Sequence, residues 1–216
     1  STPLWGIPER AVGTPGLSDT MEPDKWLDLM ADDTPALRAQ FFGAVPEPVQ
    51  RYWRGPVLTQ FDGHVWRRDR RTERLPPAVV EHGTEGWNYQ IDYEPTDRRQ
   101  LVALDLPTAA PEGSRLDADL SLSSDRTLSA LSRWRLHSAP PQRFAATLST
   151  YQRRAALQLP EGFNPRTATV ARQWRQEAGR DDAAVVRRAL AWTTADCSYT
   201  LATPPPGPHP ADCVLL

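Results

Sequence analysis

Lysine is nearly missing from this chain: of its 25 basic side chains, only Lys25 is not arginine. No function is read from that skew. Also missing is any apolar run near the roughly twenty residues that a bilayer-spanning helix needs. Neither a signal peptide nor an initiating methionine opens the sequence, so Ser1 is read as a processed end or a cut boundary. A large excess of charge of either sign is missing too. A net charge of -2 and a pI near 6.1 give no global attraction to nucleic acid, and no nucleic-acid partner is expected. The four histidines, His64, His82, His137 and His209, have no metal-ligand spacing among themselves or to cysteine. No glycine-rich phosphate loop, no G-x-S-x-G elbow and no paired-carboxylate motif occurs, so neither metal nor cofactor is expected. There are two cysteines, Cys197 and Cys213, separated by a proline-rich segment, and two free thiols are expected. His209 lies four residues before Cys213, but a proline-broken segment does not hold a thiolate and an imidazole together, so this pair is set aside.

What is present suits a globular fold: 39% apolar and 24% charged residues over 216 positions, enough for one large domain or two small ones. Residues 1–34 are rich in Pro, Gly and turn formers, with Leu4, Trp5, Ile7 and Leu17 as isolated anchors, and read as an extended strap. Within them, residues 24–30 suit a helical turn or two burying Trp26, Leu27 and Met30. Residues 35–160 read as an antiparallel β module. Alternation predicts strands at 37–42, 87–93 and 116–122, with further strands at 101–106 and 133–137. Tyr52-Trp53-Arg54 leads into Phe61, and Asp62-Gly63 then predicts a tight type I′ hairpin into Val65-Trp66, because both central residues of that turn need positive φ. Residues 144–157 fit either period and are assigned to a strand. Arg67, Arg68, Arg70, Arg71 and Arg74 form a basic cluster that would suit anionic lipid or an acidic substrate. Asp69 and Glu73 beside it favour a solvated loop.

The last segment, residues 164–216, reads as two helices and a short strand. Asn164-Pro165 is a helix start, Val170, Ala171, Trp174 and Ala178 form an apolar stripe, and Gly179 is a stop. Asp181-Asp182 open the second helix, with Val185, Val186, Ala189, Leu190 and Thr193 on its buried side. Residues 198–202 form the strand, and the prolines from Pro204 to Pro208 end it.

The runs N-P-R-T-A-T-V-A-R-Q-W-R, D-D-A-A-V-V-R-R-A-L-A-W, S-Y-T-L-A-T-P-P and A-D-C-V-L-L resemble the lead-in to the catalytic core of one bacterial family. These are the membrane-bound transglutaminase-like proteins, protein-glutamine gamma-glutamyltransferases of the TgpA type. The Y-W-R-G-P-V-L…F-D-G…W pattern from Tyr52 to Trp66 is a second point of likeness. In that family an acidic-hydrophobic D-E-F-L-F motif precedes a G-F-C motif with the nucleophilic cysteine, then a histidine and an aspartate. Asp212, Val214, Leu215 and Leu216 stand where the acidic-hydrophobic motif falls, and Cys213 replaces its glutamate. The resemblance thus implies an α+β fold: an antiparallel β-sandwich-like module, then two helices and a short strand that open a papain-like transglutaminase core. No residue of this sequence is assigned a catalytic, cofactor-binding or metal-ligating role, and no substrate-binding residue is named. The expected setting is the periplasmic face of the bacterial inner membrane. Tethering segments, and the core that engages a protein or peptide substrate, would lie outside these residues. The competing expectation is a self-contained β-sandwich module that binds peptide or glycan without catalysis.

Overall fold

A computed structural model describes residues 18–21, 35–72, 75–144, 148–196 and 212. The chain begins with strands β1 Thr20–Met21 and β2 Leu37–Phe42, then a 3-10 turn at Pro48–Gln50. Short strands follow at β3 Trp53–Arg54, β4 Gln60–Phe61, β5 Trp66–Arg67 and β6 Val80–His82. After β7 Trp87–Tyr93 come β8 Gln100–Leu101, β9 Ala103–Leu104, β10 Ser114–Leu116 and β11 Leu122–Ser124. Strands β12 Ser132–Ser138 and β13 Pro141–Phe144 complete the β layers, and helices α1 Thr150–Ala156, α2 Pro165–Ala178 and α3 Asp182–Asp196 follow. All strand pairs among the described residues are antiparallel, so the architecture is α+β with an antiparallel β module.

Strand β7 is the centre because its alternation of aromatic and β-branched residues with polar ones suits a strand paired on both edges. It pairs with β12 from Trp87↔Ser138 to Tyr93↔Ser132, and with β2 from Asn88↔Phe42 to Tyr93↔Leu37. Tyr89, Ile91 and Tyr93 on one face are buried with Leu101, Leu104, Leu122 and Leu136, so this sheet packs on the β3–β9 and β8–β11–β10 sheets. Phe41, Trp53 and Tyr89 meet at centroid distances of 5.6–6.3 Å, tilted or edge-on, as ring quadrupoles prefer. The Tyr89 hydroxyl is buried with them and must be satisfied there. It accepts the Leu104 N–H at 2.9 Å and donates to Ser138 Oγ at 2.9 Å, while Ser138 Oγ donates to the Leu104 carbonyl at 2.6 Å. Burial pushes the Tyr89 phenol up to about 12.

The expected strands at 37–42, 87–93 and 133–137 are present, and four expectations change. Residues 116–122 are not one strand but the bend of the β10–β11 hairpin, with Leu116 opposite Leu122. Asp119 causes the turn, its carboxylate accepting the Ser121 N–H and hydroxyl, and Leu120 adopts φ 64. Residues 101–106 split, because β8 pairs with β11 and β9 with β3. The Asp62-Gly63 turn is not a two-residue I′ loop, since Phe61 pairs with Trp66 and leaves four residues between. Asp62 instead accepts the N–H groups of Val65 and His64, and Gly63 alone takes a positive φ, 110°. Those two backbone bonds, Val65 first, lower the Asp62 carboxyl to about 2. Residues 144–157 hold the last residue of β13 and then α1, not a strand. The reason is a capping box: Ser149 accepts the Gln152 N–H and Gln152 reaches back to the Ser149 N–H. The strap at 1–17, the turn at 24–30, the strand at 198–202 and both cysteines lie outside the described residues.

Candidate functional site

The two stretches that carry the family likeness meet at one seam between the β module and the helices. On the β side is the Asp62–Val65 loop; on the helical side are Phe163, Asn164 and the first turn of α2. Gly63 lies flat against Phe163: a Cβ at residue 63 would stand 2.6 Å from two atoms of that ring. His64 meets the same ring edge-on with centroids 5.1 Å apart. Phe61 and Trp66 stack at 4.7 Å and stiffen the loop from behind.

Asn164 starts α2 as expected, but it does not cap with its own side chain. It sits in the left-handed region at φ 49, which Asn tolerates better than most residues. The cap arrives from far along the chain. Asp212 is buried; its Oδ2 accepts the Arg166 N–H at 3.0 Å, and its Oδ1 accepts the Thr167 N–H at 2.7 Å and the Thr167 hydroxyl at 2.6 Å. Pro165 has no N–H to satisfy, so the carboxylate serves the next two amides and meets the positive end of the helix macrodipole. The Asp212 N–H donates to Asn164 Oδ1 at 3.4 Å, closing the exchange. Asp212 is thus a structural clasp on the start of α2.

Two further ties flank the seam. Asp69 is buried and receives the Tyr151 hydroxyl from α1 at 2.7 Å, which raises the Tyr151 phenol. Asp69 also accepts the Arg71 N–H at 3.0 Å. Beside it, buried Arg68 makes a close ion pair with buried Asp117, which also accepts Ser123 Oγ at 2.5 Å and Arg115 Nε at 3.2 Å. Arg54 of the Y-W-R motif bonds Asp105 at 2.5 Å, fixing β3 to the end of β9.

These pairings redistribute the expected basic cluster. Arg67 pairs with Asp62, and Arg68 is interior rather than part of a solvated loop, because Asp117 compensates it. Arg70 is exposed, and Arg74 lies outside the described residues. His82 contacts the Ala139 carbonyl at 3.0 Å and His137 contacts Thr108 Oγ1 at 3.1 Å, each apart from His64. The aromatic face of the strand at 87–93 is core. Sequence reasoning passed over the pairs Gly63–Phe163, Asp69–Tyr151 and Arg68–Asp117. The one available signal was that F-D-G and G-F-N-P both carry turn residues with an aromatic neighbour.

A β module handing over to helices through a capped seam defines a class that comparison with known proteins identifies. The sequence profile of the TgpA N-terminal domain matches residues 1–145, and the chain belongs to that family. Among its relatives, the protein-glutamine gamma-glutamyltransferase of Pseudomonas aeruginosa is 27% identical over 215 residues. That match covers 99% of this chain and 32% of the relative, so the chain spans about a third of the relative's length. The fold is similar to the crystal structure of the periplasmic domain of TgpA from Pseudomonas aeruginosa, with TM-score 0.77 and 26% identity over 91% of this chain and 68% of that one. The same domain bound to ethylmercury gives TM-score 0.76 and 27% identity, covering 91% and 70%.

Proposed function

We propose that this chain is the extracytoplasmic supporting part of a transglutaminase-like membrane protein, with the cysteine, histidine and aspartate of catalysis supplied by residues outside it. The observation that carries this reading is Asp212. The one described residue of the acidic-hydrophobic motif is buried against α2 and held within the seam where the F-D-G loop docks. Identity spread along nearly the whole chain with a protein-glutamine gamma-glutamyltransferase supports the same reading. In that chemistry a cysteine thiolate attacks a glutamine carboxamide, ammonia leaves, and the thioester is resolved by an amine or by water. No cofactor takes part. The β module's role is to hold the helical lead-in at a fixed position and angle. Periplasmic placement is supported by the likeness to a periplasmic domain, and tethering to the inner membrane is assigned to segments outside this chain. Among the described residues no helix is long and apolar enough to cross a membrane.

The test compares this chain with the whole protein encoded by its gene. Incorporation of a labelled primary amine into a glutamine-containing protein should stay at the blank for the chain and rise for the whole protein. If glutamine is only deamidated, the hydrolase form of the same chemistry replaces the transferase. A reading frame without a G-F-C-like motif, His and Asp would sink the enzyme reading in favour of a peptide- or glycan-binding module.

A further inference from the structure

We infer that Arg68 is a positioning residue for two helices: it anchors a strut, residues 61–72, that couples the β10–β11 hairpin to α1 and to the start of α2. At one end of the strut, Phe61 pairs with Trp66 across the loop whose Gly63 and His64 meet Phe163. Strand β5 then runs directly into Arg68 and Asp69. Six positions separate Gly63 from Asp69, at most about 20 Å of extended chain. Successive side chains of an extended chain leave in opposite directions, and here Arg68 goes to the hairpin while Asp69 goes to α1.

Both neighbours are held firmly. The buried Arg68 guanidinium pairs with Asp117 and donates to the Ser121 and Ser123 hydroxyls at 3.3 and 3.4 Å, so three groups of the hairpin grip its planar fork. Its main-chain N–H donates to the Asp19 carbonyl at 3.1 Å. Asp69 is fixed by its own chain: Oδ1 accepts the Arg71 N–H, and its carbonyl accepts the Thr72 N–H at 3.1 Å and hydroxyl at 2.7 Å. That leaves Oδ2 for the Tyr151 hydroxyl of α1. A buried carboxylate oxygen that loses its donor is costly, so the turn and Tyr151 hold each other in place. A displacement of Arg68 therefore reaches α1 across one peptide bond and reaches Phe163 along one short strand. Coupling of this kind runs through contacts inside the fold, and it holds whether the whole protein transfers acyl groups or only binds a ligand.

The test is hydrogen exchange on the full 216-residue chain, resolved to single amides, in Arg68→Met, Tyr151→Phe and the two combined. Arg68→Met leaves Asp117 bonded by Arg115 and Ser123. It should quicken exchange roughly tenfold in α1, less in the first turn of α2 that Asp212 still caps, and not at all in β7. Tyr151→Phe removes one hydroxyl; it should quicken α1 and, reciprocally, the Arg71 and Thr72 amides. Both changes act on α1 through one tie, so the combined variant should exceed the faster single variant there by less than about twofold. Arg115→Gln also takes a bond from Asp117 but lies off the strut, and should leave α1 as in the parent. An unchanged α1 in Arg68→Met, equal quickening of β7, multiplied effects in the combined variant, or the same α1 response to Arg115→Gln overturns the proposal. Should Arg68→Met fail to fold, Arg68→Lys takes its place. It keeps the charge beside Asp117 and loses the fork, and an α1 that exchanges as in the parent again overturns the proposal.

Discussion

Leu104 on β9 and Leu190 on α3 are the same side chain in opposite circumstances, one wholly shielded and the other 62% open to solvent. The contrast extends to the regions around them. In the β module, Tyr89, Ile91, Leu101 and Leu122 interlock with Leu104 in one cluster whose polar groups are satisfied internally. In α1 and α2 no residue is buried, and α2 meets α3 through half-buried contacts such as Trp174 on Trp192 at 5.6 Å. The β module therefore draws its stability from its own core. Among the described residues the helices meet the β module through discrete ties: the Tyr151–Asp69 hydrogen bond and the Phe163 ring on Gly63 and His64.

The harshest test of that contrast is Asp117→Ala. It removes the buried carboxylate that Arg68, Arg115 and Ser123 all bond, and is expected to cost about 3 kcal/mol by urea unfolding. Replacing both partners together, as Arg68→Met with Asp117→Leu, should recover most of it, and a single-variant loss below about 1 kcal/mol would show that the pair is not desolvated. Next, Leu104→Ala should cost about 2–5 kcal/mol while Leu190→Ala stays within about 0.5 kcal/mol. Comparable losses would erase the distinction between the two regions.

Alkali should strike the β core, and on the helical side only the tie that Tyr151 of α1 makes to Asp69. Burial raises Tyr89 and Tyr93 to about 12, above the ordinary phenol value of 10.0. The fold thus favours their neutral forms. That stability is complete below about pH 10 and is lost as pH climbs from 10 toward 12, roughly 2–3 kcal/mol for each ring. Neither α2 nor α3 contains tyrosine. Phenolate absorbance from two tyrosines should therefore appear only together with loss of β structure. Their titration near pH 10 in the intact fold would contradict the burial argument.

Two smaller effects sharpen the seam itself. Gly63→Ala should cost about 1–3 kcal/mol, because the new methyl meets the Phe163 ring and the backbone there holds φ 110. Adding Phe163→Ala should return the steric share of that loss and leave the backbone share. Asp212→Ala should cost about 1 kcal/mol, the usual worth of a helix cap. Hydrogen exchange should quicken at the Arg166 and Thr167 amides and stay unchanged in β7. Unaltered exchange at those amides would deny the cap.

The central strands were legible because strand period and burial coincide: Trp87, Tyr89, Ile91 and Tyr93 alternate with polar residues and face the core. The same rule misled at 116–122, where Leu116, Ala118, Leu120 and Leu122 alternate equally well. There Asp119 binds its own chain and bends it back. At α1 the residues fit helix and strand alike and the family likeness tipped the reading to a strand, although Ser149 and Gln152 already spelled a capping box. The seam was hardest to see. Its ties join Asp69 to Tyr151, 82 positions on, and Gly63 to Phe163, and nothing in the local pattern of Asp69, Asp117 or Asp212 says which distant group each serves.

Consider the clasp between Asn164 and Asp212 as a mechanical part. Tension applied between Phe163 and the far side of Asp212 would run through a carboxylate, two backbone amides and one hydroxyl on the first turn of α2, and bypass the rest of α2 and all of α3. The α2–α3 hairpin is left slack, hanging from a short-circuited joint, and begins to unwind only once that joint opens. Below that load the separation of residues 163 and 212 is set by a few hydrogen bonds to the first turn of α2 and is insensitive to the helical turns beyond it.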